Sequence, residues 1–321
     1  MAVSRARIAL GDIDKEIGDD KAMQRRVRVA LGEIDKTNSA VGFDISDDVM
    51  DGGVLIDSSG SMSPWYGDGT VQVSAERVLG YYGPLDRTMS CECAYFDDVA
   101  RRTDNISLKN RAYVGFVNRT KPARLGGTNL YDALLMGVEM AAEALKDKRI
   151  LDVVKTSKGG MFSRSQRGEW VTPTSELKPL ANSKFYHLTI ITDGAPTVGI
   201  TDPYVIMELI VRLSYVGIFI KFVYVGNDRH GELFLEQLDD MKTMKHNNDL
   251  ADPSDPDDPR HEDVDPQTQR GQLPLRYIDN VDKVKLGDPR LASDEDVADA
   301  MNNELPTYLR SAKNRGLLVG V

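Results

Sequence analysis

Three separated stretches of this chain carry oxygen-bearing side chains in a pattern that suits a hard divalent cation. The first is Val54-Leu-Ile-Asp-Ser-Ser-Gly-Ser61, in which an apolar run ends abruptly on Asp57 and is followed by Ser59 and Ser61. Three apolar residues, two of them β-branched, predict a strand buried on both faces of a parallel sheet. Ligand sites of open α/β sheets lie just beyond the carboxyl ends of such strands, where these polar groups fall. The second stretch, Leu125-Gly-Gly-Thr-Asn-Leu130, adds a third hydroxyl, Thr128, at the start of a predicted amphipathic helix. The third, Leu188-Thr-Ile-Ile-Thr-Asp-Gly194, is another buried-strand pattern and brings a second carboxylate, Asp193, to the same edge of the sheet. Two carboxylates and three hydroxyls make an all-oxygen donor set, the kind preferred by Mg²⁺, with Ca²⁺ or Mn²⁺ as alternatives.

The order D-x-S-x-S, then Thr, then strand-Asp-Gly resembles the metal-ion-dependent adhesion site of von Willebrand factor A domains, with all five positions filled: Asp57, Ser59, Ser61, Thr128 and Asp193. Three further stretches, Trp65–Leu79, Gly126–Asn129 and Asn303–Leu317, are similar to the carboxyl-terminal A domain of TerF-type tellurium-resistance proteins, and this resemblance covers about residues 50–318. It implies an α/β fold, a doubly wound and mostly parallel sheet with helices on both faces. It further implies that Ser59, Ser61 and Thr128 bind the ion directly, while Asp57 and Asp193 act largely through water. One position on the ion is then left for a carboxylate supplied by a protein partner. The same resemblance implies a tellurium-resistance, stress-related or phage-encoded setting.

Composition narrows the field. The 321 residues include 40 basic and 50 acidic side chains, for a net charge of −10. That balance argues against a duplex nucleic-acid surface, which needs clustered cations. No run of about 18 apolar residues predicts a membrane span, and the amino terminus lacks the apolar core of a signal peptide, so a cytoplasmic protein is expected. Cys91 and Cys93 fall two apart in a strand-like run and point to one face. They read as small buried hydrophobes rather than as a disulfide or metal ligands.

Residues 1–50 hold a near repeat, Arg7–Lys15 and Arg28–Lys36, which predicts an amino-terminal helical arm broken near Gly18–Asp20. Residues 51–321 form the main domain. Gly42–Ser46 suggests a short edge strand, Met62–Thr70 a turn-rich loop with Trp65 and Tyr66 at its rim, and Val71–Tyr82 a helix. Cys91–Phe96 reads as a strand closed by a solvated Asp97-Asp98 turn, and Thr128–Leu145 as a long helix. Residues 146–184 are too long for a helix-to-strand connection and predict an insertion or hairpin that supplies the basic tract of the chain. Phe185–Ile191 and Ile218–Val225 are core strands, separated by a helix over 203–216. The acidic, proline-rich tract 249–267 is expected to be disordered or extended, and one of its carboxylates could mask the metal. At the carboxyl end, Ser293 and Asp296 cap an amphipathic helix that Pro306 should bend.

A Mg²⁺-dependent protein-binding module follows as the first functional reading. The alternatives are an assembly protein stabilised by the ion and a metal-dependent phosphoester hydrolase. Against the enzyme, the chain has no G-x-x-x-x-G-K loop, and its four histidines (His187, His230, His246, His261) lie outside the oxygen motifs. Partner identity and oligomeric state are not encoded in these patterns.

Overall fold

The computed structural model describes residues 10–45, 49–153, 179–194, 196–197, 203–239, 241, 278–285 and 289–321. The expected hairpin around Lys158–Gly160 and the acidic tract 249–267 lie outside the described residues.

A mostly parallel sheet organises the molecule. Its strands are β1 (Met50–Asp57), β2 (Ser90–Phe96), β3 (Ala100–Arg102), β4 (Ile106–Ser107), β5 (Phe185–Thr192), β6 (Ile218–Tyr224) and β7 (Val281–Lys285), in the order β3-β2-β1-β5-β6-β7, with β4 paired to β2. The four central pairings are parallel, and β3 and β4 run antiparallel on β2. Every residue of β5 and β6 is buried, which explains why both read as mainly apolar, with His187, Thr189, Thr192 and Lys221 as buried exceptions.

Side chains alternate across the sheet into two cores. Val54, Ile56, Cys91, Cys93, Phe185 and Phe219 face one layer; Leu55, Ala94, Leu188, Ile190, Ile220 and Phe222 face the other. The first layer is built by α1 (Leu10–Ile17), α2 (Lys21–Val41), the short α3 (Ser63–Gly67), α4 (Thr70–Tyr82), the short α5 (Phe116–Thr120), α10 (Asp294–Asn302) and α11 (Leu305–Asn314). The second is built by α6 (Leu130–Ala144), α7 (Arg149–Val153), α8 (Pro203–Leu213) and α9 (Arg229–Asp239). Helices on both faces of a mostly parallel sheet make this a doubly wound α/β fold. Both cysteines are free and buried in the first core.

The repeat near the amino terminus becomes two helices separated at Gly18, which adopts φ +66°, with Asp20 capping α2 through Met23 N. α2 packs on α4 and α10, and Arg26 reaches Glu76 at 2.9 Å. Gly42–Ile45 is not a strand: Gly42 ends α2 in the left-handed region, and Ile45 N donates to Asn38 Oδ1. The loop after β1 is more ordered than its turn residues suggest, because Pro64 occupies the first turn of α3, where its missing N–H costs nothing. Near the carboxyl end the Ser293–Asp296 capping box forms as expected. The chain breaks at Asn303 instead of bending at Pro306, since proline takes the first turn of α11.

At the far side of the sheet a buried pair ties β6 and β7 to these last helices. Lys221 and Asp282 are 0% and 1% exposed and form an ion pair. Lys221 Nζ also donates to Ala300 O at 2.8 Å, and Asp282 Oδ2 accepts from Glu304 N.

Candidate metal centre

The connections decide where a site can form. From β1 the chain crosses through α4 on one face to β2; from β5 it crosses through α8 on the opposite face to β6. The loops that leave β1 and β5 therefore diverge, and the crevice between them is the topological switch point where open α/β sheets bind ligands. Asp57 is the last residue of β1, and Asp193 directly follows β5.

Four of the five expected residues are linked side chain to side chain or through one neighbour. Ser59 Oγ lies 3.0 Å from Ser61 Oγ, and Ser61 Oγ donates to Asp193 Oδ1 at 3.0 Å. Asp57 is fully buried; its Oδ1 accepts from Ser59 N at 2.7 Å and its Oδ2 from Thr192 Oγ1 at 2.7 Å. Thr128 joins through the backbone. Gly126 forms a parallel bridge with Ser59, and Gly60 N donates to Gly126 O at 2.9 Å. Thr128 O accepts from Thr197 N at 3.0 Å, and Thr128 N donates to Thr197 Oγ1, so this loop is held between the β1 and β5 loops. Thr128 is buried but does not cap α6; Asn129 does, accepting from Asp132 N.

Residues whose role the motif did not show hold the site in place, and Tyr66, expected at the rim of the loop, is one of them. Tyr66, buried beneath the loop, donates its hydroxyl to Asp57 O at 2.7 Å. Thr192 orients the Asp57 carboxylate; its signal in the sequence is its position immediately before Asp193. The Asp97-Asp98 turn is not a freely solvated one. Asp97 is buried and pairs with Arg101, and Asp98 Oδ1 accepts from Gly127 N at 3.0 Å. Gly126 is required by close approach: a Cβ there would stand 2.8 Å from Asp98 Oδ2 and 3.0 Å from the Asp97 Cβ.

Burial pushes the Asp57 carboxyl up to about 7, against the opposing pull of hydrogen bonds from Thr192 and Ser59, and nearby Asp193 adds to the rise. Asp193 is also raised, first by burial and further by Asp228, while its bond from Ser61 opposes the shift. The two carboxylates share a crevice with hydroxyls, and among the described residues no basic side chain pairs with either. Among those residues, too, no three His, Cys, Asp or Glu side chains cluster around one point.

Octahedral Mg²⁺ with metal–oxygen lengths of about 2.0–2.1 Å places adjacent oxygens about 2.9 Å apart, whereas Ca²⁺ at about 2.3–2.6 Å needs wider spacing. The Ser59–Ser61 and Ser61–Asp193 separations, both 3.0 Å, are those of direct hydrogen bonds, which bring the oxygens together without selecting among ions.

No family profile matches the chain, and no curated protein matches it. Among solved structures, manganese-loaded TRAP protein of Plasmodium vivax aligns over 82% of this chain and 75% of its own, at 12% identity and a TM-score of 0.39. A point mutant of the PilB minor pilin from Streptococcus sanguinis aligns over 82% of this chain and 62% of its own, at 11% identity and a TM-score of 0.38. Among the described residues no helix is long and apolar enough to cross a membrane.

Proposed function

We propose that this protein is a Mg²⁺-dependent protein-binding module with a von Willebrand factor A-like architecture. The observation that carries the reading is the chain of oxygens Ser59–Ser61–Asp193, spaced at 3.0 Å across the switch-point crevice. Ser59, Ser61 and Thr128 would hold the ion, while Asp57 and Asp193 balance its charge and orient its waters. When bound, the ion supplies Lewis acidity toward an incoming carboxylate. The chain's own residues do the positioning. Thr192 and Ser59 N fix the Asp57 carboxylate, Tyr66 anchors the backbone at Asp57, and Gly126 lets the Thr128 loop approach the Ser59 loop. The TerF-like resemblance extends this reading to a tellurium-resistance or stress-related role, in a bacterium or a phage, for a cytoplasmic protein.

The binding reading is favoured over a hydrolase by what surrounds the hydroxyls. None of Ser59, Ser61 or Thr128 is paired with a histidine base among the described residues; His187 is buried in the core, away from this edge of the sheet. Affinity capture from the native host tests the proposal. A partner should be retained in Mg²⁺ and released by chelator, and Thr128→Ala should lose it. Capture that is indifferent to chelator would favour the ion as a structural element only. Phosphoester turnover abolished in Asp57→Ala would favour the enzyme.

A further inference from the structure

The switch-point crevice is acidic, yet the segment that delivers Thr128 to it is not. Between Arg119 and Arg124 the chain Arg-Thr-Lys-Pro-Ala-Arg carries three cations and no acid, within a protein of net charge −10. Elsewhere several exposed basic side chains have carboxylate partners, as in Arg101–Asp97, Arg102–Glu143, Arg111–Asp19 and Arg290–Asp68. These three have none among the described residues. Arg119 is occupied by the carbonyls of Ala112 and Val114, which leaves Lys121 and Arg124 exposed and without an ion pair. Both lie on a segment tied to the site. Lys121 Nζ lies 5.6 Å from the centre of the Tyr66 ring, whose hydroxyl bonds Asp57 O. Arg124 is two residues before Gly126, which is bridged to Ser59.

We propose that Lys121 and Arg124 select an acidic peptide segment: one carboxylate of the partner meets the metal, and further acids one to three residues away meet these two cations. This rests on the metal-dependent binding reading and names its partner class. An extended peptide advances about 3.3 Å per residue, so neighbouring acids in one strand-like segment can span from the crevice to its rim. Without the ion, Asp57, Asp98 and Asp193 would repel such a segment. With it, the charges of the ion, Lys121 and Arg124 together exceed those of the three carboxylates, and complementary charge gives specificity and encounter rate.

The test compares two fluorescent peptides of equal length by polarisation in saturating Mg²⁺, one with a single Asp among glycines and glutamines, the other with Glu residues flanking that Asp. The acid-rich peptide should bind more tightly, and the Lys121→Gln/Arg124→Gln double variant should cost it about 3- to 20-fold, the range for two exposed charge pairs, while leaving the single-acid peptide nearly unchanged. The gap between peptides should narrow as salt screens exposed charges beyond about 8 Å. Equal affinities for both peptides, each Mg²⁺-dependent, would overturn this proposal while leaving the metal reading intact. Peptide binding that ignores Mg²⁺, or no binding at all, would overturn both. Tighter binding of a single-stranded oligonucleotide, lost in the same double variant, would assign the cations to phosphates and overturn the acidic-peptide assignment.

Discussion

His187 makes the protein's stability depend on pH in a way that a single substitution can isolate. It sits at the centre of the sheet on β5, fully buried, with ring centroids 5.9 Å from Tyr81, 5.3 Å from Tyr82 and 5.1 Å from Phe219. Among the described residues neither ring nitrogen has a hydrogen-bond partner, and the titratable groups facing it are the two α4 tyrosines and Lys221 on β6. Burial, reinforced by the Lys221 charge, holds its imidazole well below the usual histidine range. The unfolded chain therefore binds a proton that the folded chain does not, and stability falls as pH drops below the unfolded value of about 6.5. Between about pH 7.5 and about pH 5 this residue should remove about 2 kcal/mol of stability, growing by about 1.4 kcal/mol per further pH unit until the folded imidazole itself titrates. Asp57 acts with the opposite sign. Its raised carboxyl stabilises the fold below the unfolded aspartate range, and that contribution is lost as pH rises toward about 7. The assay is urea denaturation of wild type and His187→Leu at both pH values in chelator, so that the Asp57 contribution cancels in the comparison. Wild type should lose about 2 kcal/mol more than the variant on acidification. Equal losses would show that His187 can accept a proton inside the fold, and would refute the reasoning.

Thr192→Val removes the donor to Asp57 Oδ2, and loss of such a supporting bond should weaken Mg²⁺ binding about 10- to 100-fold by calorimetric titration with the fold retained. Gly126→Ala should drive the Thr128 loop away from Asp97 and Asp98, costing about 1–3 kcal/mol in denaturant melts and at least as much in Mg²⁺ affinity. Lys221→Met alone should cost about 3–5 kcal/mol by leaving Asp282 buried and unpaired, whereas Lys221→Met/Asp282→Leu should recover most of it in the same melts.

The parts of the fold that the sequence made legible are those where burial acts on both faces of a strand. β1, β5 and β6 are dominated by apolar residues at their carboxyl halves because helices cover both sides of them, and the carboxyl end of each is marked where that run stops. β7 escaped that test because Val281-Asp-Lys-Val-Lys looks like a solvated stretch; the acid is buried there only because Lys221, from the neighbouring strand, neutralises it. The false edge strand at Gly42–Ser46 arose from an alternating pattern in a segment that Asn38 holds as a helix exit. At the site, the motif named Asp57, Ser59, Ser61 and Asp193, which hydrogen bonds bring together, but the roles of the groups that hold them were invisible. Tyr66 and Thr192 act on Asp57 through one hydrogen bond each, and a single tyrosine or threonine has no periodic signature. Residues 146–184 drew attention as the basic tract, whereas Lys121 and Arg124, on the segment that leads to Gly126, are too few to register in composition.

The most direct measurement of the central claim is titration of the metal-free protein with Mn²⁺, a spectroscopic stand-in for Mg²⁺, followed by electron paramagnetic resonance and competed with Mg²⁺. One saturable site should appear in wild type, displaced by Mg²⁺ and lost in both Ser61→Ala and Asp193→Asn, variants from opposite sides of the crevice. No saturable site, or a site that survives both substitutions, would mean that these oxygens hold one another and not an ion.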